Sequence, residues 1–284
     1  MAGRPYAPFI GPSEPLLDRK ASSQRAINLY MAEVEGGGED KQYILESAPG
    51  LLQVLSAIGD FRGTCIARDK WFTILGSQLV ILDDDWSLVY VGGTLATTSG
   101  FVRMVEMRDM IVITDGDQGY VYNLDTQVFS QITDPDWRGS NWVSTLDGYA
   151  IFSEPDTDQF YISAIDDASN FDALDFSSAD KNPDVIVTHR VVGNQLLMMG
   201  KRSIEIYVNS GEDFPFARYT SAPIEVGVVG NRAAINAAES LYWVGQTGRG
   251  VAYLYELQGN QPVRISTQAV EESLLACTDL TQIT

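Results

Sequence analysis

Apolar residues along this chain fall in short runs, rich in β-branched and aromatic side chains, that come in pairs across a polar turn. The pairs are "FTILGSQLVIL" (72–82), "MIVITDGDQGYVYNL" (110–124), "YAIFSEPDTDQFYIS" (149–163), "QLLMMGKRSIEIYV" (195–208) and "SLYWVGQTGRGVAYLYEL" (240–257). The second run often alternates, as in Ile204-Glu205-Ile206-Tyr207, which is the pattern of a hairpin with one face buried. The residues just after the first runs, Gly76, Asp115, Glu154, Gly200 and Gly245, are spaced by 39, 39, 46 and 45 positions. Each pair is flanked by two weaker strand candidates. Upstream lie "TCIA", "VRMVEM", "WVSTL", "VIVTHRVV" and "AAINAA"; downstream lie "SLVYVGG", "VFSQIT", "FDALDF", "FARYT" and "PVRIS".

Four strands in each 40–45 residues is the requirement of one propeller blade. A blade cannot bury both faces alone, so blades stack around an axis. The pattern therefore predicts an all-β chain, a β-propeller of about five four-stranded blades between about 62 and 268. "LLQVLSAIG" (51–59) is expected as a lone outer strand that closes the ring with the last blade. "AVEESLLA" (269–276) is the one convincing helix, and the repeats break off after it in "CTDLTQIT", which predicts a propeller incomplete at its C-terminus. A β-sandwich also fits strands at this spacing, but recurrence of a four-strand unit favours the propeller.

Composition adds limits. With 284 residues, 45% of them hydrophobic, a large core is within reach. The formal net charge is −19, so a broad electrostatic grip on nucleic acid or anionic lipid is excluded. An acidic wall still lets DNA pass without sticking. Residues 1–25 differ: they carry a net +2 and prolines at 5, 8, 12 and 15, which oppose helix. We divide the chain into an extended Pro-rich arm, 1–25, and a propeller domain, 26–284. The arm reads equally as a docking segment for a neighbouring subunit or as a plain terminus. Cys65 and Cys277 stand alone, which gives neither a disulfide framework nor a thiolate metal site. No run suits a signal peptide or a membrane span, and synthesis in a reducing host cytoplasm is expected.

The stretch from Asp147 to Asp175 holds eight carboxylates and no Lys or Arg. Glu154, Asp156 and Asp158 fall in the third hairpin turn, and Asp166 and Asp167 in the next connection, where acidic side chains cap turn backbone. A glycosidase-like carboxylate pair or a glycan-binding module at the axial mouth, with Glu154 and Asp158 as its acids, is the alternative. "DGDQG" (115–119) and "DDDW" (83–86) invite a calcium reading but lack the ligand set of a calcium loop. His189 stands in a strand without a GxSxG elbow and reads as a satisfied core histidine. "EGGGED" (35–40) is flanked by acids and is no phosphate cradle. We assign no catalytic, cofactor-binding or metal-ligating residue, no cofactor, and no enzymatic activity.

The order of pieces carries a resemblance. "AINLYMAEVEGGGEDKQYILESAPGL" (26–51), "SAIDDASNFDALDFSSAD" (163–180), the "VGNQLLMMG" strand with its "GKRSIEIYVNSG" hairpin, and the "LYWVGQTGRG" turn together resemble the packaged DNA stabilisation proteins of short-tailed bacteriophages. These are also called tail accessory, tail hub or nozzle proteins. The similarity spans about 26–275 and includes no catalytic motif. It implies a structural virion protein containing a β-propeller and assembled with itself as a ring, usually a hexamer. The ring extends the channel of the portal and adaptor proteins, retains packaged DNA and passes it at ejection. It supports the tail needle, tail fibre or tailspike, and involves no membrane and no sequence-specific DNA contact. Family members extend beyond this chain's C-terminus. Within this frame 163–184 reads as a long inter-strand loop pinned to its blade by Phe171, Leu174 and Phe176.

Overall fold

The computed structural model describes residues 29–34, 42–55, 59–219, 222–246 and 251–283. These fall into two compact units. The smaller contains strands β1 (Leu29–Val34) and β2 (Gln42–Ser47), which pair antiparallel from Leu29↔Ser47 to Val34↔Gln42. Helix α1 (Gln268–Ala276) belongs to the same unit. Tyr30 donates its hydroxyl to Glu46 across the hairpin at 2.6 Å.

The larger unit consists of consecutive antiparallel sheets, the first four of them meanders. The first is β3 (Phe61–Ala67), β4 (Lys70–Leu75), β5 (Gln78–Leu82) and β6 (Leu88–Thr94). The second is β7 (Arg103–Met107), β8 (Met110–Thr114), β9 (Gly119–Asn123) and β10 (Phe129–Gln131). The third is β11 (Val143–Leu146), β12 (Tyr149–Ser153), β13 (Gln159–Ala164) and β14 (Asp167–Ser178). The fourth is β15 (Ile186–Val192), β16 (Gln195–Gly200), β17 (Ile204–Asn209) and β18 (Phe216–Arg218). In the fifth, β19 (Gly227–Val228) and β20 (Ala234–Ala237) both pair with β21 (Ser240–Gln246), followed by β22 (Ala252–Gln258) and β23 (Gln261–Arg264).

The first strands of successive sheets lie side by side, β3 against β7, β7 against β11, β11 against β15 and β15 against β20. They line the centre of an arc of five blades, as the recurrence of the hairpins predicts. Crowding there is severe. The Val102 amide donates to the Arg62 carbonyl at 3.0 Å, and a Cβ on Gly63 would sit 2.0 Å from the Val102 oxygen. Glycine is required at that position.

Apolar residues from facing blades form the core, as expected of sheets that pack aligned. Phe72, Ile74, Leu79 and Ile81 of the first blade meet Ile111, Ile113, Tyr120 and Tyr122 of the second. Val112 of the second meets Ala150, Phe152 and Tyr161 of the third. Ile151, Phe160 and Ile162 of the third meet Leu196, Met198 and Tyr207 of the fourth. Leu197, Met199 and Ile206 of the fourth meet Leu241, Trp243 and Tyr255 of the fifth. Strand alternation explains why one strand serves two cores: Leu196 and Leu197 point to opposite faces.

A two-residue turn joins the first and second strands of every blade, at 68–69, 108–109, 147–148, 193–194 and 238–239. The first turn residue has positive φ in all five: Arg68, Arg108, Asp147, Gly193 and Ala238. These are the primed turns whose twist matches that of the strands. The fifth, Ala238-Glu239, places two ordinary side chains in the left-handed region, at φ 47° and 64°.

Two expectations are corrected. Residues 51–55 form no strand and Leu51 and Leu52 are exposed, so the lone ring-closing strand is absent from the described part of 51–59. The segment 163–184 is not a loop. Residues 167–178 form the long strand β14, whose register against β13 slips on both sides of Ser163↔Phe171. Those slips let a polar, acid-rich sequence follow the rim without the regular alternation by which a strand is recognised. Of its three proposed pins only Phe171 is buried; Leu174 and Phe176 are exposed. The 1–25 arm, the 35–40 loop and the end of the "LYWVGQTGRG" turn lie outside the described residues.

Candidate functional site

The carboxylates of the acid-rich stretch are dispersed over turns and the rim. The Glu154 side chain faces Arg138 at 3.4 Å, and its carbonyl accepts from the hydroxyl of Thr157 at 3.1 Å. Asp156 has φ 60° in the same turn. Asp166 pairs with Arg108. Asp167 accepts the amide and hydroxyl of Ser169, and Asp172 the amide of Leu174. Asp115 in "DGDQG" is consumed in the same way: one oxygen accepts the amides of Asp117 and Gln118, the other the Thr97 hydroxyl at 2.6 Å. In "DDDW", Asp83 meets Lys70 at 3.2 Å and Asp85 caps Ser87. Among the described residues, no three His, Cys, Asp or Glu side chains gather as a metal site would require.

The centre of the arc has the opposite character. Arg62 on β3, Arg103 on β7 and Arg190 on β15 all stand on first strands, and Trp142 immediately precedes β11. Arg190 is buried. Its Nε donates to the Ala234 carbonyl, Nη1 to the Thr188 hydroxyl and the His189 carbonyl, and Nη2 to the carbonyls of Asn231 and Ala234. Its five N–H donors are thus all used, and every acceptor is neutral. Arg62 is bound likewise, to the carbonyls of Gly76, Thr97, Ser99 and Gly100 and to the Thr97 hydroxyl, at 2.7–2.9 Å. It fastens the 97–100 connection to β3.

The guanidinium carbons of Arg190 and Arg103 lie 3.6 Å and 4.4 Å from the centroid of the Trp142 ring. Phe101 stacks on that ring at 5.7 Å, and Arg232 lies over Phe101 at 5.3 Å. Burial, and then the neighbouring Arg103 charge, pull the Arg190 guanidinium well below its ordinary value. Burial likewise depresses Arg103, opposed by the Cys65 thiol. His189 is fully buried beside them. Burial first, then the charge of Arg190, push it down to about 3, so the ring is neutral. Its Nε2 meets the Ile151 carbonyl at 3.1 Å while Nδ1 has no partner among the described residues. The satisfied core histidine expected from the sequence is thus half satisfied.

This basic and aromatic centre borders a cavity of about 350 Å³, lined by residues of four blades and by no Asp or Glu. Neither Glu154 nor Asp158 is there. The alternative of two mouth carboxylates therefore loses its geometry. The arginine set was missed in the sequence, although a signal exists: "FRGT", "VRMV" and "THRVV" each place an arginine within an otherwise apolar or neutral strand, where charge is rarely buried without a structural reason.

Comparison with known proteins bears on what such a chain is. The family model described as "Bacteriophage P22 Gp10, beta-propeller" matches residues 23–283. The chain belongs to this family. It is a packaged DNA stabilisation protein of the short-tailed phage type, a structural phage protein built on a propeller. No curated protein sequence matches it. In structure it is similar to the extracellular domain of the hybrid two-component system BT4673 from B. thetaiotaomicron, with TM-score 0.50 at 10% identity over 81% of this chain and 31% of that one. It is also similar to the N-terminal domain of Nup159, with TM-score 0.48 at 10% identity over 74% of this chain and 62% of that one. Hsv2 of Kluyveromyces lactis gives TM-score 0.48 at 10% identity, covering 80% and 74%. The chain spans less than two thirds of the first two proteins. At such identity the likeness concerns the fold alone.

Proposed function

We propose that this stabilisation protein is a ring-forming subunit of a phage tail, a hub or nozzle that extends the portal–adaptor channel and helps to retain packaged DNA. The single observation that supports the reading is the family match over residues 23–283. Two physical features agree with it. A net charge of −19 suits a wall along which a polyanion must slide rather than stick. Asp115, Asp166 and Glu154, acids that could have marked a reaction centre, are held in a turn or in ion pairs. On this reading the protein acts by packing, against copies of itself and against portal, adaptor and needle, fibre or tailspike proteins, and not by chemistry.

The test is reconstitution. Purified protein is mixed with portal–adaptor complexes of its own phage and imaged in negative stain. An added ring at the tail end of the complex is expected. A chain that stays monomeric and never joins the complex contradicts the proposal.

A further inference from the structure

We propose that the cavity at the centre of the arc is a binding site for a phosphate-class oxyanion, with Arg103 as its principal ligand and Trp142 and Ser144 as supporting donors. The proposal is independent of the ring role and rests on three observations.

The first is uncompensated charge. Arg103 and Arg190 both lie within 4.4 Å of the centroid of one indole ring. They are thus separated by no more than about a Debye length at physiological salt, roughly 8 Å. Among the described residues neither forms an ion pair with a carboxylate, in a chain that carries 38 acidic side chains. Two partly desolvated like charges repel, and an anion between or beside them removes that cost.

The second is unspent donors. Arg190 has none left. Among the described residues Arg103 donates only from its Nε, toward the Val143 carbonyl at 3.4 Å, and its two Nη groups donate no hydrogen bond. Trp142 is 4% exposed, borders the cavity, and its Nε1–H has no acceptor among the described residues. The hydroxyl of Ser144, on β11 at the same wall, makes no hydrogen bond to a described residue and is a third donor. Asn236 completes this side with a side chain held to the Val191 carbonyl.

The third is the choice of anion. The wall offers donors from two strands, β7 and β11, and no acidic group. A planar carboxylate would engage the Arg103 fork alone. A tetrahedral dianion also reaches the separate donors and meets both positive charges. About 350 Å³ admits such an ion with some of its water.

Titration calorimetry of the full chain with inorganic phosphate, at fixed ionic strength near pH 7.5, tests the site. A saturable single-site heat is expected, and acetate should compete weakly. Arg103→Gln should weaken phosphate binding about tenfold or more, and Ser144→Ala should weaken it less. Millimolar phosphate should also raise the wild-type melting temperature above an equal ionic strength of chloride, a readout that survives if Arg103→Gln fails to fold. Absence of saturable heat overturns the proposal, as does unaltered affinity in Arg103→Gln or acetate binding as tight as phosphate.

Discussion

His189 shows how burial beside a like charge can set a residue's behaviour. Its imidazole is fully buried, and burial together with the Arg190 charge holds it down to about 3, whereas an unfolded histidine titrates near 6.5. Below about 6.5 the unfolded chain therefore binds a proton that the folded chain refuses. Stability from this residue is complete above that pH and falls as pH drops toward 3, by roughly 1.4 kcal/mol per pH unit. Urea unfolding of wild type and His189→Gln between pH 4 and 7 should show a steeper acid loss in the wild type; equal slopes would contradict the assignment. A second residue-scale case is Glu205, 3% exposed. It accepts from the Lys181 amide at 2.8 Å, the Tyr207 hydroxyl at 3.2 Å and Arg218 Nε at 2.7 Å. Arg218→Ala would strand that carboxylate and should cost about 3 kcal/mol or more in equilibrium unfolding. A cost below about 1 kcal/mol would mean that water reaches the site.

At the scale of elements, the five first-to-second-strand turns carry the clearest expectations. Ala238-Glu239 has positive φ at both residues, as do Arg68-Asp69 in the first blade and Asp147-Gly148 in the third, where the second position is glycine. Glu239→Gly should raise stability by about 0.5–1 kcal/mol, measured by thermal or urea unfolding, because relief at φ 64° outweighs the added freedom of the unfolded chain. Gly63→Ala should do the reverse, by about 1–3 kcal/mol, since its Cβ has nowhere to go against Val102. Hairpins were legible in the sequence because their central strands are short apolar runs buried on both faces, such as Ile111, Val112 and Ile113 or Leu196, Leu197 and Met198, broken by polar turns, and all five anchors from Gly76 to Gly245 fall at or beside the end of a second strand. β14 was legible only as the short candidate "FDALDF"; its register slips and its acids made the surrounding segment read as a loop. The central arginines were illegible for a different reason. Their acceptors are carbonyls far along the chain, such as Ala234 for Arg190, and a carbonyl leaves no mark in sequence. Only the unusual placement of charge inside apolar strands hinted at them.

For the whole molecule, the repeat explains both what holds the arc together and why the described acidic residues lie on turns and rim. Each of the three inner blades buries one face against its predecessor and the other against its successor, so the four inter-blade cores are each shared by two sheets. Acidic residues displaced from those cores go to turns and rim, where they neutralise one another's neighbours and leave a negative exterior. An acidic, packed chain suits the DNA-retaining wall proposed above. The central claim is that the protein keeps packaged DNA inside the virion, and its most direct test is the nuclease resistance of DNA in particles assembled without it. The account predicts heads that package normally and then leak, with DNA digested by added nuclease, and protection restored when purified protein is supplied. Particles that keep their DNA fully protected in its absence would contradict it.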